Sequence, residues 1–246
     1  MHVFDSREEM GQAAAKDAEL RINSVIDKKG EATVVFAAAP SQNELLAELK
    51  KAKVDWTKVR AMHMDEYIGL PEDHPARFGN FLRRAIFDDL PFKSVYYLYQ
   101  SNAEAEEICQ RYSKLLTEYP PDVILLGVGE NGHLAFNDPE VADFNDPQAV
   151  KIVELDEICR QQQVNDGCFK DIHEVPKKAI TLTMSTILSI QEAIAVVPGK
   201  NKAKAIDRML HGEISTECPA SILRKKENAA LYLDKESAVP AISLQD

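Results

Sequence analysis

Apolar residues recur at helical spacing near the start of the chain, at Met10, Ala14, Ala18, Ile22 and then Val25 or Ile26. Ser6 followed by Glu9 forms a capping box ahead of them, and Gly30 supplies a stop, so the pattern predicts a helix between Ser6 and Gly30. The period then changes. Thr33 to Ala38 is an unbroken apolar run, rich in β-branched residues and too short for a helix, and it predicts a buried strand. Helices are predicted at about Gln42–Lys53, Phe78–Phe87 and Glu104–Leu116, interleaved with strands at Val59–Met64, Val95–Leu98 and Val123–Leu126. Further strands are predicted at Lys151–Val153, Ala179–Thr183, Ala193–Val197 and Ala230–Leu233, with helices near Ala203–Leu210 and before Lys170. This alternation predicts an α/β fold, a Rossmann-like open parallel sheet with helices on both faces. No stretch rich in Gly, Ser or Pro divides the chain, so residues 1–246 are read as a single domain.

Composition narrows the function. A net charge of −11 opposes a nucleic-acid surface, which needs clustered Lys and Arg, but leaves room for a small anionic substrate held by one local cation. The opening MHVFDSREEM lacks the layout of a signal peptide, and no apolar run approaches the roughly 18 residues of a membrane span, so a cytoplasmic protein with no membrane partner is expected. Cys109, Cys159, Cys168 and Cys218 show no C-x-x-C pair and no histidine at zinc-ligand spacing, which predicts reduced, mostly buried thiols and no metal. Self-association as a homo-oligomer is left open.

The candidate chemistry lies in two stretches. In LLGVGENGHLAFNDP (125–139), Gly127, Gly129 and Gly132 have G-x-G-x-x-G spacing, but Pro139 and the polar run behind it oppose the helix that a dinucleotide site requires. The glycines are read instead as turning the chain to expose His133 and Asp138 at the carboxyl end of a strand. Asn131 and Asp138 flank His133, and either could orient its imidazole. The second stretch is Asp65 and Glu66, at the end of the strand Val59–Met64, where burial and like charge can raise a carboxylate toward a useful base. His2, His63, His74, His173 and His211 have no such company and are read as structural or surface residues.

MDEYIGLPEDHP (64–75) and GVGENGHLAFNDP (127–139) resemble the two hallmark motifs of the glucosamine-6-phosphate deaminase/isomerase family, whose fold is shared with 6-phosphogluconolactonases. Further likeness runs through VPKKAITLTMSTIL (175–188) and VVPGKNKAKAI (196–206), so the resemblance covers most of the chain from about Thr33 to Leu233. It implies conversion of an amino-sugar phosphate, glucosamine 6-phosphate or a close relative such as galactosamine 6-phosphate, to the ketose phosphate and ammonia, with no cofactor. Asp65 would be the base moving a proton between C2 and C1. His133 would open the sugar ring, Asp138 takes the place of the family's glutamate, and Asn131 stands where many members have Asp and some have Asn. Gly129 and Gly132 of the loop and Glu66 beside the base are expected at the substrate.

Phosphate recognition departs from the family's pattern. Where members carry a Gly-Ser-Thr-Pro type loop, this chain has Ala37 to Gln42 with Ser41 as its one hydroxyl, and Gly167 stands in for the family's arginine. Lys202 in GKNKA is retained, and Arg160 and Arg224 are candidates to compensate. The alternatives are a sugar lactone hydrolase like the 6-phosphogluconolactonases, or a non-catalytic sugar-phosphate sensor. MDEY opposes the first, because a hydrolase needs no carboxylate to shuttle a carbon-bound proton.

Overall fold

A computed structural model describes residues 1–238. The first helix, α1 (Arg7–Lys29), is fixed at both ends by the residues the sequence singles out. Ser6 Oγ accepts from Glu9 N at 3.2 Å, although the Glu9 carboxylate reaches back to Asp5 N at 3.2 Å rather than to Ser6. Gly30 takes φ 83° and donates its N–H to Ile26 O at 2.7 Å, a left-handed stop that a side chain would strain. Met10, Ala14, Ala18, Ile22 and Ile26 form the buried stripe.

Seven parallel strands make the main sheet: β1 (His2–Phe4), β2 (Ala32–Phe36), β3 (Val59–His63), β5 (Ser94–Tyr96), β6 (Val123–Leu126), β9 (Glu192–Val197) and β10 (Ala229–Asp234). Their order is β1-β10-β9-β6-β2-β3-β5. From β2 the chain steps outward through β3 to β5. From β6 it steps the other way through β9 to β10. The order thus reverses between β2 and β6, and such a switch point leaves a crevice beyond the strands' carboxyl ends where open α/β sheets bind ligands. Every residue of β2 and β6 is buried, as a central parallel strand covered on both faces requires. The other helices are α2 (Asn43–Leu49), α3 (Phe78–Leu82), α4 (Ala105–Glu118), α5 (Glu157–Asn165), α6 (Met184–Ser189) and α7 (Ala203–His211). A π-wound turn extends α3 to Phe87.

The expected parallel sheet is present, but it does not take in every predicted strand. β4 (Asp65–Tyr67), β7 (Val150–Glu154) and β8 (Lys178–Leu182) form a separate three-stranded antiparallel sheet, order β4-β8-β7. The strands predicted at 151–153 and 179–183 therefore exist but pair with each other. At Met64 the chain leaves the parallel sheet and enters this one within a single residue. No helix among the described residues is long and apolar enough to cross a membrane.

Candidate active site

A cleft of about 470 Å³ opens at the switch point. Four neighbouring strands deliver its walls: Ser41 follows β2, Asp65 follows β3, Gly129 and His133 follow β6, and Lys202 follows β9. The turn at Gly127 passes so close to the β2 loop that a Cβ there would lie 3.3 Å from Gln42 Nε2 and 3.5 Å from Ser41 Oγ. No helix opens at Gly132, so the glycine spacing serves a turn and not a pyrophosphate cradle.

Asp65 is buried to 6% exposure on the cleft wall, which Phe78 and Phe136 also line, their rings stacked on each other 5.5 Å apart. Burial, reinforced by the charge of Glu66, raises its pKa well above the ordinary carboxylate value. Glu66 itself does not line the cleft. Successive side chains of a strand point to opposite faces, so Glu66 is sent the other way. There Oε1 accepts from Tyr67 N at 2.8 Å and Phe78 N at 3.2 Å, and Oε2 accepts from Gly79 N at 3.1 Å, capping α3. Burial raises its pKa too, against the pull of these N–H groups and of Arg77.

His133 faces the same cleft from the opposite strand loop. Asp138 Oδ1 lies 2.9 Å from its Nδ1, at ion-pair distance but off the N–H direction, so Nδ1 and Asp138 Oδ2 are buried without an aligned hydrogen-bond partner. Asn131 does not touch the imidazole as expected. Its Oδ1 accepts from His133 N at 3.0 Å, while its Nδ2 donates to Asp138 Oδ1 at 3.0 Å and to Asp156 Oδ2 at 3.1 Å. An amide suits this position because it donates to two carboxylates that a third would repel. Burial opposes ionisation of Asp138, but pairing with His133 and the Asn131 amide outweigh it and hold the pKa below the usual carboxylate value. Cys159 is also here: ligand atoms of His133, Asp138 and Cys159 all lie within 4.8 Å of one another, a set that sequence spacing hides. Burial and the neighbouring aspartates push its thiol pKa well up, and all four cysteines are free.

Two features of the loop hold the imidazole in place. Ala135 sits at φ 52°, where non-glycine residues are rare, and is kept there by Phe136 N donating to Thr181 Oγ1 and by the Asn137 amide donating to Leu134 O and Leu182 O. Gly129 leaves room for the ring: a Cβ there would stand 2.2 Å from His133 Cε1 and 2.4 Å from each ring nitrogen. Gly129→Ala is therefore expected to evict the imidazole and lower turnover by about 100-fold or more. Steady-state kinetics beside a thermal melt check this, and an active Gly129→Ala enzyme would contradict it. Gly132, at φ 91° against Cys218 Sγ, shapes the turn but lies outside the cleft wall.

Ser41 and Lys202 also line the cleft. Lys202 is 4% exposed, its ammonium has no ion-pair or hydrogen-bond partner among the described residues, and burial lowers its pKa. A buried cation facing open space calls for an anion. Gln162 and Gln163, from α5, line the cleft too, and sequence reading missed both. Gln162 Oε1 accepts from Glu130 N at 2.9 Å, whereas the Gln163 amide has no protein partner among the described residues. Arg160 does not reach the cleft, because its guanidinium donates to Ile172 O and Val175 O. Arg224 is likewise engaged, with the carbonyls of Leu210, Gly212 and Ser221. Gly167 takes φ 75° and is exposed, so no side chain from that position enters the site.

Comparison with known proteins agrees with this geometry. Residues 5–232 match the family described as glucosamine-6-phosphate isomerases/6-phosphogluconolactonase. The chain is 35% identical over 235 residues to a glucosamine-6-phosphate deaminase of Bacillus cereus, covering 96% of this chain and 86% of that one. A Bacillus thuringiensis glucosamine-6-phosphate deaminase is 34% identical over the same shares. Among solved structures, a monomeric glucosamine-6-phosphate deaminase superposes with TM-score 0.87 at 28% identity, covering 98% of this chain and 100% of the other. A 6-phosphogluconolactonase from Trypanosoma brucei gives TM-score 0.78 at 21% identity over 97% of each chain, which shows the shared fold. With two hallmark motifs meeting in one cleft and the match spanning nearly its whole length, this chain belongs to the glucosamine-6-phosphate isomerase/6-phosphogluconolactonase family.

Proposed function

We propose that this protein is a glucosamine-6-phosphate deaminase, converting the amino-sugar phosphate and water to fructose 6-phosphate and ammonia. The observation that carries the reading is a buried, poorly solvated carboxylate, Asp65, facing the same cleft as the His133–Asp138 pair. The two groups divide the work. His133 moves a proton between the sugar's oxygens to open the ring, a task for an imidazole, which can both accept and donate one. Asp65 then takes the proton from C2 and returns it to C1. This leaves an imine at C2, to which water adds and from which ammonia departs. The burial that keeps water from Asp65 also raises its basicity.

Lys202, Ser41 and the Gln163 amide are assigned to the phosphate. Lys202→Ala should then raise KM for the phosphorylated sugar by the equivalent of about 1.5–3 kcal/mol, the loss of a charged hydrogen bond. Free amino sugar should be affected far less, and equal losses for both would remove Lys202 from this role. The reading as a whole is tested by following ammonia release from phosphorylated and free glucosamine and galactosamine. Turnover confined to a 6-phosphorylated amino sugar supports it; ammonia from the free sugars alone would contradict it.

A further inference from the structure

A carboxylate that takes a proton from carbon works only if its main chain is held still, and the way Asp65 is held runs through a residue outside the cleft. In the β4–β8 ladder, Asp65 faces Thr181, while the hydrogen bonds fall on its neighbours: Leu182 N donates to Met64 O at 2.8 Å and Ile68 N to Lys178 O at 3.0 Å. Asp65 thus occupies a non-hydrogen-bonded position, and its carbonyl points away from β8. β4 is the edge of its sheet, so no further strand is there to take that carbonyl.

His63, the last residue of β3, takes it. The ring is fully buried, with Nδ1 2.9 Å from Asp65 O. Leu98 N donates to Nε2 at 3.0 Å. A main-chain N–H can only donate, so Nε2 carries no proton, Nδ1 does, and the Nδ1–H donates to the Asp65 carbonyl. The Tyr112 hydroxyl fixes His63 in turn, accepting from His63 N at 3.0 Å and reaching His63 O at 2.9 Å. Burial holds the His63 pKa down at about 4, with Arg111 adding to the effect, so the ring stays neutral at working pH. We infer that His63 is a positioning residue for the proton transfer: it anchors the Asp65 main chain at the point where the chain crosses between sheets, and so sets where the carboxylate meets the sugar. The inference rests on the reading of Asp65 as the base.

Two amide substitutions separate this role from simple packing. His63→Asn places an N–H where Nδ1 stood and can keep the bond to Asp65, losing the Leu98 contact. His63→Gln reaches the Nε2 position and does the reverse. Deuterium exchange at C2 and ammonia release should stay within about threefold of wild type in His63→Asn and fall at least about tenfold in His63→Gln, with KM little changed in both. Equal activity of the two variants, or a loss confined to KM, would overturn the inference while leaving the deaminase reading intact. A wild type that neither exchanges the C2 hydrogen with solvent nor passes it to C1 would overturn both. Should His63→Gln fail to fold, Tyr112→Phe keeps the aromatic ring and removes the hydroxyl that fixes His63. It should lower C2 exchange by at least about threefold at unchanged KM; unaltered exchange in that variant would overturn the inference.

Discussion

Asp65→Asn is expected to abolish exchange of the C2 hydrogen with solvent while leaving substrate binding nearly intact. The amide keeps the shape of the carboxylate and loses its basicity, so the loss should appear in turnover, by about 100-fold or more, and not in KM. Stability should move the other way. Asp65 has a folded pKa raised well above 3.8 by burial and by Glu66, so between those two values the folded state holds a proton that the unfolded state has released. Wild-type stability therefore falls as pH rises through that window, and the asparagine variant escapes the fall. Thermal melts of both proteins from about pH 4 to pH 8 should show the variant gaining on wild type as pH rises. The same shift places the acid limb of the wild-type rate profile above the ordinary carboxylate range. Exchange that survives in Asp65→Asn would remove Asp65 from the role of base.

His133→Gln should produce a different loss. Turnover of the cyclic substrate should fall by about 100- to 10,000-fold, the usual worth of a positioned acid or base. Substrate delivered in open-chain form should recover part of it, because that form bypasses ring opening and leaves Asp65 to do its work. The Asn131–Asp138 contact does not depend on the imidazole, so the loop behind it should keep its shape. Equal losses for cyclic and open-chain substrate would place His133 in the carbon chemistry instead.

Much of this was legible in the sequence because it is local. Ser6 and Gly30 bound α1, and the two motifs deliver Asp65 and His133 to one sheet edge because parallel strands share a carboxyl end. What was not legible depends on distant pairing. β4 meets β8 across more than a hundred residues of chain, and a short apolar run at 179–183 reads the same in either sheet. Gln162 and Gln163 look like the polar face of a helix until α5 is set against the cleft. Other misses left a signal. Strand alternation alone sends Glu66 away from Asp65, and a histidine two positions before the base lies near it by connectivity. The orientation of Asn131 left none: nothing in the sequence says that its amide would donate to Asp156 and not to the His133 ring.

The family joins deaminases and lactonases on one fold, so the most direct test supplies purified protein with glucosamine 6-phosphate and, in parallel, with 6-phosphogluconolactone. Fructose 6-phosphate and ammonia are measured from the first, and acid release from the second. The ketose and ammonia are expected in equal amounts, with lactone loss no faster than in buffer. Rapid lactone hydrolysis without ammonia from the amino sugar would contradict this.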